Sequence, residues 1–203
     1  MSRPARPAAL SHRAAPPPGR VRIIAGRYRR TPVPVVEAPG LRPTPDRVRE
    51  TLFNWLEHLL GGWSGRRVLD AYAGSGALGF ECASRGAAQV TLVERHPRAL
   101  QALHALRERL GCAAVQILAE DALAALARQA PGSLDLVFLD PPFDQDVLAR
   151  AVPAALRALA PQGLLYVERG APLEAAQLAA WGAQPLRQGQ AGAVHFHLLA
   201  PVS

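Results

Sequence analysis

The feature that most constrains the fold is an alternation of apolar runs and helical patterns that begins at residue 66. Runs such as RRVLDAYAG, AAQVTLVE and LDLVFLD are nearly continuous in apolar residues, and helical segments separate them. Apolar strands joined by helices predict a parallel sheet that helices cover on both faces. The last segment, AQPLRQGQAGAVHFHLLA, has no room for a helix, so it predicts a hairpin. The expected fold is α/β, with a seven-stranded, mostly parallel sheet whose last strand is antiparallel.

Histidines and cysteines give no sign of a metal site. His195 and His197 alternate with apolar residues in the final segment, and we interpret them as strand surface rather than ligands. Cys82 and Cys112 lack His or Cys partners at metal-ligand spacing, so we expect reduced, structural thiols and a cytoplasmic protein. No apolar run approaches the roughly 20 residues of a membrane helix, and the N-terminus lacks the apolar core of a secretory signal.

The chain divides into three predicted parts. Residues 1–19 contain mainly Ala, Pro and Arg, and we expect them to be disordered. Residues 20–62 form an extension, in which VRIIAGRYRRTPVPVV predicts a short hairpin or edge strands because Gly26 can turn. A helix follows, with Thr44 as its N-cap. Residues 63–203 form the main domain.

The helix of the extension has one predicted apolar face. Pro45 suits its first position, Asp46 suits the helix dipole, and the glycine pair Gly61-Gly62 ends it. The residues expected on the buried face are Val48, Leu52, Trp55, Leu56 and Leu59. The residues expected to point elsewhere are Glu50, Asn54 and Glu57.

The basic residues are concentrated near the N-terminus. Residues 1–49 contain eleven Arg and two acids, a net charge of +9, whereas residues 50–203 contain twelve Arg and fourteen acids, a net charge of −2. A solvated surface strand is one interpretation of GRVRIIAGRYRR. The concentration of Arg beside a nearly neutral domain favours contact with a polyanion, and nucleic acid is the expected partner.

Acidic residues stand at the ends of four successive predicted strands. Asp70 and the residues to Gly76 follow the first strand, Glu94 ends the second, Asp121 follows the third and Asp140 ends the fourth. In an open sheet of this type, ligands bind beyond the carboxyl ends of the strands. No core requirement would place an acid at each end, so this edge of the sheet is the predicted functional site.

A glycine-rich loop follows the first of these strands. Gly74 to Gly79 read GSGALG, a G-x-G-x-x-G motif, and by spacing alone either a dinucleotide site or a simple tight turn fits. The Asp70 carboxylate would repel a pyrophosphate but could hold the ammonium of an amino-acid-like ligand. Glu94 would accept hydrogen bonds from ribose hydroxyls, and Asp121 could meet an adenine amino group. An amine, a ribose and an adenine together indicate S-adenosylmethionine.

The tetrapeptide Asp140-Pro141-Pro142-Phe143 matches the Asp/Asn-Pro-Pro-aromatic signature of methyltransferases that modify exocyclic amines of bases. Such an amine is a poor nucleophile because its lone pair is delocalised into the ring. Hydrogen bonds to the Asp140 carboxylate and the Pro141 carbonyl would favour a pyramidal nitrogen aimed at the methyl group, and the prolines would keep that carbonyl in place. Phe143 would stack on the extruded base. The alternative is a Pro-rich loop that ends a buried strand.

Taken together, the motifs resemble those of the RsmD-type 16S rRNA guanine-N2 methyltransferases, which are class I, Rossmann-like methyltransferases. The matching segments are RIIAG, PGLRPTPDRVRETLFNWL, LDAYAGSGALGFECASRGA, LVE, DPPF and LLYVE, and the resemblance extends from Arg22 to Leu199. It implies methylation of the N2 amine of one guanine in small-subunit ribosomal RNA, presented on an assembled or partly assembled 30S subunit. It also implies a monomer without an obligate protein partner.

The resemblance also implies roles for individual residues. The cofactor would be contacted by Thr44, Asp70, Tyr72, Gly74, Ser75, Gly76, Glu94, Asp121 and Ala122. The catalytic residues would be Asp140, Pro141, Pro142 and Phe143. The residues expected to contact RNA are Arg22, Arg27, Arg29, Arg30, Arg42 and Arg47. For Arg47 a surface ion pair with Glu50, three positions along the helix, is an equal alternative.

Three other functions are compatible with parts of the sequence. A methyltransferase of adenine N6 or cytosine N4 would use the same tetrapeptide, but such enzymes usually carry a larger insertion to read sequence. A dinucleotide-dependent oxidoreductase is disfavoured by Asp70 and by Asp140 to Phe143. A ribosome-assembly factor that binds RNA without turnover would keep the fold and lack methyl transfer.

Overall fold

The computed structural model describes residues 20–35, 46–142 and 145–202. Its strands are β1 (Arg20–Arg22), β2 (Pro32–Pro34), β3 (Arg67–Asp70), β4 (Gln89–Glu94), β5 (Val115–Ala119), β6 (Leu134–Leu139), β7 (Leu159–Arg169), β8 (Ala183–Ala191) and β9 (Val194–Pro201). Its helices are α1 (Asp46–Leu60), α2 (Ala77–Arg85), α3 (Pro97–Leu110), α4 (Ala122–Ala127), α5 (Gln145–Ala158) and α6 (Ala175–Trp181). No helix in these ranges is long and apolar enough to cross a bilayer.

Seven strands form one sheet in the order β5-β4-β3-β6-β7-β9-β8. Strands β3 to β7 are parallel to one another, and β9 is antiparallel to both β7 and β8. The predicted seven-stranded, mostly parallel α/β sheet with an antiparallel last strand is therefore confirmed. The chain first winds outward from β3 to β5 and then returns to β6, so the winding direction reverses between β3 and β6.

Helices cover both faces of the sheet, which explains the nearly continuous apolar strands. One core lies between the sheet and α1, α2 and α3, and a second lies between the sheet and α4, α5 and α6. Alternate residues of a strand enter different cores: Phe138 belongs to the first, and Val137 and Leu139 belong to the second. Both cysteines are buried and free, as expected of structural thiols.

The hairpin and helix of the extension pack into the first core rather than standing apart from it. Val21, Ile23 and Val33 of the hairpin are buried there, together with five hydrophobic residues of α1. The predicted hairpin is confirmed, because β1 and β2 pair antiparallel and Gly26 turns the chain with φ +79°. Thr44 and Pro45, predicted to begin α1, lie outside the described residues.

The buried face of α1 differs in part from the prediction. Trp55 and Leu59 are only half-buried, whereas Arg49 and Phe53, which the predicted face omitted, are fully buried. The Phe53 ring lies 5.7 Å from that of Trp63 and 6.5 Å from that of Phe138, between ring centroids. The helix is therefore rotated towards Phe53, because this ring fills the space above β6. The polar face was predicted correctly: Glu50, Asn54 and Glu57 are exposed.

The interpretation of His197 as strand surface is wrong. Its exposed fraction is 3%, and Nε2 accepts a hydrogen bond of 3.3 Å from the backbone N–H of Leu173. The chain between β7 and α6 covers this part of β9, so a strand position that alternation marks as outward is buried. Burial, with the nearby His195 and Arg169, lowers the pKa of His197 to about 4. His195 is half-buried.

Candidate active site at the ends of the parallel strands

Four acidic residues predicted for the site lie along one edge of the sheet. The strand order β5-β4-β3-β6 arranges Asp121, Glu94, Asp70 and Asp140 in that sequence, because each stands at or just beyond the carboxyl end of its strand. Strands β3 and β6 are direct neighbours, with Asp70 opposite Phe138. The turn at Asp140 and the glycine loop after Asp70 therefore leave the sheet from adjacent strands, where the winding direction reverses.

The glycine loop connects β3 to α2 through backbone conformations that favour glycine. Gly74 and Gly76 have φ angles of +51° and +77°, which L-amino acids rarely adopt. A Cβ on Gly76 would lie 2.5 Å from the Leu103 side chain and 2.8 Å from that of Phe80. Inside the loop, the Gly76 N–H donates to the Ala73 carbonyl at 2.6 Å. The loop is thus tightly turned and packed against α3.

Glu94 ties the glycine loop to the segment that follows β4. Its Oε2 accepts from the Gly74 N–H at 2.9 Å, and its Oε1 accepts from the N–H groups of Arg95 and His96 at 2.8 and 2.7 Å. A carboxylate has roughly four acceptor positions, so three bonds leave capacity for a further donor such as a hydroxyl. Glu94 is half-buried at the strand end, which suits contact with a ligand.

Asp70 is buried beneath the first turn of α2. Its exposed fraction is 2%, and Oδ2 accepts a 3.3 Å hydrogen bond from the Gly79 N–H. Gly79 lets α2 pack closely on β4, because a Cβ there would lie 2.1 Å from the Leu92 side chain. Burial raises the pKa of Asp70 to about 7, and the charges of Glu94 and Glu168 add to the rise. A cationic group placed near this carboxyl would favour its ionised form.

Asp121 caps the helix that follows β5. Its Oδ1 accepts from the N–H groups of Leu123 and Ala124 at 2.9 and 3.1 Å, which makes Asp121 the N-cap of α4. Both bonds use one carboxylate oxygen, so Oδ2 is the atom that can receive another donor. The side chain is exposed at the sheet edge, and the neighbouring Ala122 is buried. Structural capping and ligand contact are compatible here.

Asp140 follows β6 and has an acidic neighbour that the sequence analysis did not assign to the site. Leu139 is the register partner of Val167, so the next residues along the two parallel strands are Asp140 and Glu168. Glu168 is buried and accepts a 2.7 Å hydrogen bond from the Tyr166 hydroxyl. Burial, followed by the charges of Glu168 and Asp70, holds the pKa of Asp140 well above its usual range. The acid at the end of β7 continues the strand-end pattern, which was the available signal.

The remaining predicted residues fall in three groups. Pro141 is buried and Pro142 is exposed directly after Asp140, and Tyr72 and Ser75 are half-buried beside the glycine loop. The hairpin and the start of α1 carry exposed arginines: Arg22, Arg27, Arg29, Arg30 and Arg47. Three predicted residues lie outside the described ranges: Arg42, Thr44 and Phe143.

Comparison with known proteins gives a consistent assignment. The model of the family described as Conserved hypothetical protein 95 matches residues 21–200. The ribosomal RNA small subunit methyltransferase D of Escherichia coli strain K12 is 40% identical over 152 residues, which are 74% of this chain and 75% of that protein. Its Haemophilus influenzae counterpart is 41% identical over 155 residues, which are 74% and 79% of the two chains.

The solved structure of the Escherichia coli protein yhhF has a TM-score of 0.76 to this chain and 33% sequence identity, and the match covers 91% of this chain and 100% of the other. The fold is accordingly that of the Rossmann-like, class I methyltransferases. The glycine loop, the strand-end acids and the turn at Asp140 all lie within the residues that the family model matches. The chain therefore belongs to the Conserved hypothetical protein 95 family, that of the RsmD-type methyltransferases.

Proposed function

We propose that this protein transfers a methyl group from S-adenosylmethionine to the exocyclic N2 amine of a guanine in 16S ribosomal RNA. The observation that supports this most directly is the neighbourhood of β3 and β6. The Ala71 N–H donates to the Phe138 carbonyl at 3.1 Å, so the strands are still paired where the glycine loop and the Asp140 turn begin. A methyl donor bound at the loop and the base that receives the methyl group at the turn would thus be adjacent.

The site has acceptor groups that fit the proposed cofactor. The remaining acceptor capacity of Glu94 suits ribose hydroxyls, Oδ2 of Asp121 suits an adenine amino group, and the buried carboxyl of Asp70 suits an ammonium. When bound, the cofactor supplies an electrophilic methyl group on a sulfonium. The glycine loop would contact the cofactor through its backbone. Tyr72, Ser75 and Ala122 would surround the cofactor, and we propose that Thr44 also contacts it.

Residues 140–143 would hold the base. The Asp140 carboxyl and the Pro141 carbonyl would accept hydrogen bonds from the two N–H groups of the guanine amine and so orient its lone pair. Pro141 and Pro142 limit the backbone freedom of the turn, so the carbonyl keeps its direction. Phe143 would stack on the flipped-out base. A methylated aromatic amine loses its extra proton readily, so the chain needs no strong base.

The basic extension would contact the RNA outside the catalytic centre. Arginines of the hairpin and of the segment before α1 would neutralise phosphates, so RNA affinity should decrease as the salt concentration rises. We include Arg42 in this set and treat residues 20–62 as the RNA-binding extension, residues 63–203 as the catalytic domain and residues 1–19 as a tail. The curated relatives are named for the small ribosomal subunit, which supports 16S rRNA within a 30S particle as the substrate. We propose a cytoplasmic monomer.

The proposal is tested by mapping the product. Purified protein is incubated with radiolabelled S-adenosylmethionine and with either naked 16S rRNA or 30S subunits, both taken from cells that lack this protein. The modified nucleotides are then identified by mass spectrometry. We expect a single N2-methylguanine, which the Asp140→Ala variant should form about 100-fold or more slowly. Methyl groups on adenine N6 or cytosine N4 would replace the guanine assignment with another amino-methyltransferase. RNA binding without any methyl transfer would favour an assembly factor.

A further inference from the structure

The hairpin of the extension is held by side chains from three helices, and all of them bond to its backbone. Nη2 of Arg49 in α1 donates to the Arg22 carbonyl at 2.9 Å, and Nη2 of Arg109 in α3 donates to the Pro32 carbonyl at 2.7 Å. The third support is α2, through Glu81. The chain therefore fixes the path of the hairpin at both strands and at its turn.

Glu81 makes the most demanding of these contacts. Its side chain is fully buried, and a buried carboxylate is costly unless hydrogen bonds satisfy it. Oε2 accepts from the Ile24 N–H at 2.6 Å, and Oε1 accepts from the Ala25 N–H at 3.0 Å and from Nε of Arg85 at 2.8 Å. Two of its three bonds thus go to the turn of the hairpin.

Ser84, one helical turn further along α2, completes the seat for the turn. Its Oγ accepts from the Tyr28 N–H at 2.9 Å and donates to the Ala25 carbonyl, and its own carbonyl accepts from the Arg27 N–H at 2.8 Å. A Cβ on Gly26 would lie 1.9 Å from the Ser84 carbonyl oxygen, so only glycine permits this approach. The turn rests directly on the backbone of α2.

We propose that Glu81 is a positioning residue for the RNA substrate: it locks the turn that carries Arg27, Arg29 and Arg30 into one pose. This inference rests on the proposed role of the hairpin in RNA binding. The three arginine side chains are exposed, while the backbone beneath them is bonded to α2. A preformed turn spares RNA binding the entropy of ordering that segment. Gly76 is the N-cap of the same helix, so the cofactor loop and the basic turn are attached to α2 towards its two ends.

The test is the Glu81→Gln variant, in which an amide NH₂ faces backbone N–H groups that need an acceptor. We expect about tenfold weaker binding of 30S subunits or 16S rRNA and a raised KM, with kcat at saturating RNA and cofactor affinity close to those of the original protein. Hydrogen exchange at the amides of Ile24 and Ala25 should accelerate. A purely structural defect would instead lower kcat and cofactor affinity together.

The sign of the effect separates this idea from simple electrostatics. Glu81→Gln removes a negative charge from a protein that binds a polyanion, which alone would strengthen RNA binding. The matched control is Glu108→Gln, an exposed carboxylate on α3, for which we expect equal or tighter RNA binding. Tighter binding by both variants would overturn the proposal.

Two further variants keep the outcome decisive. Ser84→Ala removes the side-chain bonds to Tyr28 and Ala25 without a charge change, and it should weaken RNA binding in the same direction if Glu81→Gln fails to fold. Unchanged RNA affinity in a folded Ser84→Ala protein would then overturn the inference. If replacing Arg27, Arg29 and Arg30 weakens RNA binding but Glu81→Gln does not, the positioning role alone is wrong. If neither change matters, the hairpin is not the RNA contact.

Discussion

Glu94 and Gly74 are joined by a 2.9 Å hydrogen bond from the backbone N–H of the glycine loop to the carboxylate at the end of β4. One side chain therefore shapes the loop and faces the proposed ribose position. Replacing Glu94 with Ala should weaken S-adenosylmethionine binding by about 100-fold, since roughly two hydrogen bonds to a charged acceptor are lost. Isothermal calorimetry measures this directly. Glu120→Ala, which removes the half-buried partner of Arg128 beyond β5, is the control and should bind the cofactor normally.

Cofactor affinity should depend on the ionisation of Asp70. The pKa of its carboxyl is about 7, and only the carboxylate attracts an ammonium, so affinity should rise with pH up to about 7 and level off above it. Below that point the affinity should fall by up to about tenfold per pH unit. Titrations between pH 5.5 and pH 8.5 test this. An Asp70→Asn variant should bind weakly at every pH, and a parallel pH dependence in that variant would assign the effect to another group.

The two functions of the site should separate at Asp140. Asp140→Ala removes a contact made at the reacting nitrogen, so cofactor affinity should stay within about twofold while kcat falls by about 100-fold or more. Single-turnover methylation and calorimetry give the two values. Asp140→Asn keeps one acceptor oxygen in the same place and should retain more activity than the Ala variant. Equal activity of the original and Ala proteins would contradict the role.

The salt dependence of RNA binding should reflect the hairpin arginines. Neutralising Arg27, Arg29 and Arg30 should reduce the slope of log affinity against log salt by about two to three, because each phosphate contact contributes roughly 0.7 to 0.9. The matched control changes three arginines elsewhere, all exposed: Arg128, Arg150 and Arg187. An equal loss of slope in the control protein would show that the hairpin has no special share in binding.

The buried His197 should make the fold sensitive to acid. Its pKa is about 4 in the folded protein and near 6.5 when unfolded, so between these values the unfolded chain binds more protons. The free energy of unfolding contributed by this group is complete above pH 6.5 and decreases as the pH falls towards 4. Urea denaturation at pH 7 and pH 5 measures the difference. A His197→Gln variant should show a smaller decrease, and an identical decrease would exclude His197 as its source.

The centre of the sheet was predictable because strands such as β3 and β6 are buried on both faces and are therefore marked by apolar runs. Within the segment LDLVFLD, Leu134–Leu139 form β6, and Asp140 lies directly after this strand, where the strand-end rule expects an acid. The helices followed from periodicity, but periodicity gives only the approximate direction of a buried face. The packing of Phe53 against Phe138 and Trp63 decided the actual rotation of α1.

Features that depend on which strands are neighbours were not accessible from the sequence. Glu168 was visible as a strand-end acid, but its position beside Asp140 requires the pairing of β6 with β7. The burial of His197 requires the segment before α6 to fold over β9. Asp121 was assigned to a ligand, and its capping of α4 adds a structural role that helix-start rules could have identified.

The close packing of the hairpin limits how the proposed substrate preference can be changed by engineering. Val21, Ile23 and Val33 are part of the first core, and the turn forms hydrogen bonds with the Glu81 and Ser84 side chains. Replacing this hairpin with one from another protein would therefore open a cavity and leave the buried Glu81 carboxylate without its backbone partners. The helices that contact the hairpin would have to be exchanged together with it. Under the proposed RNA-binding role of the hairpin, new RNA targets would evolve most readily at the exposed arginines, which can vary without disturbing their support.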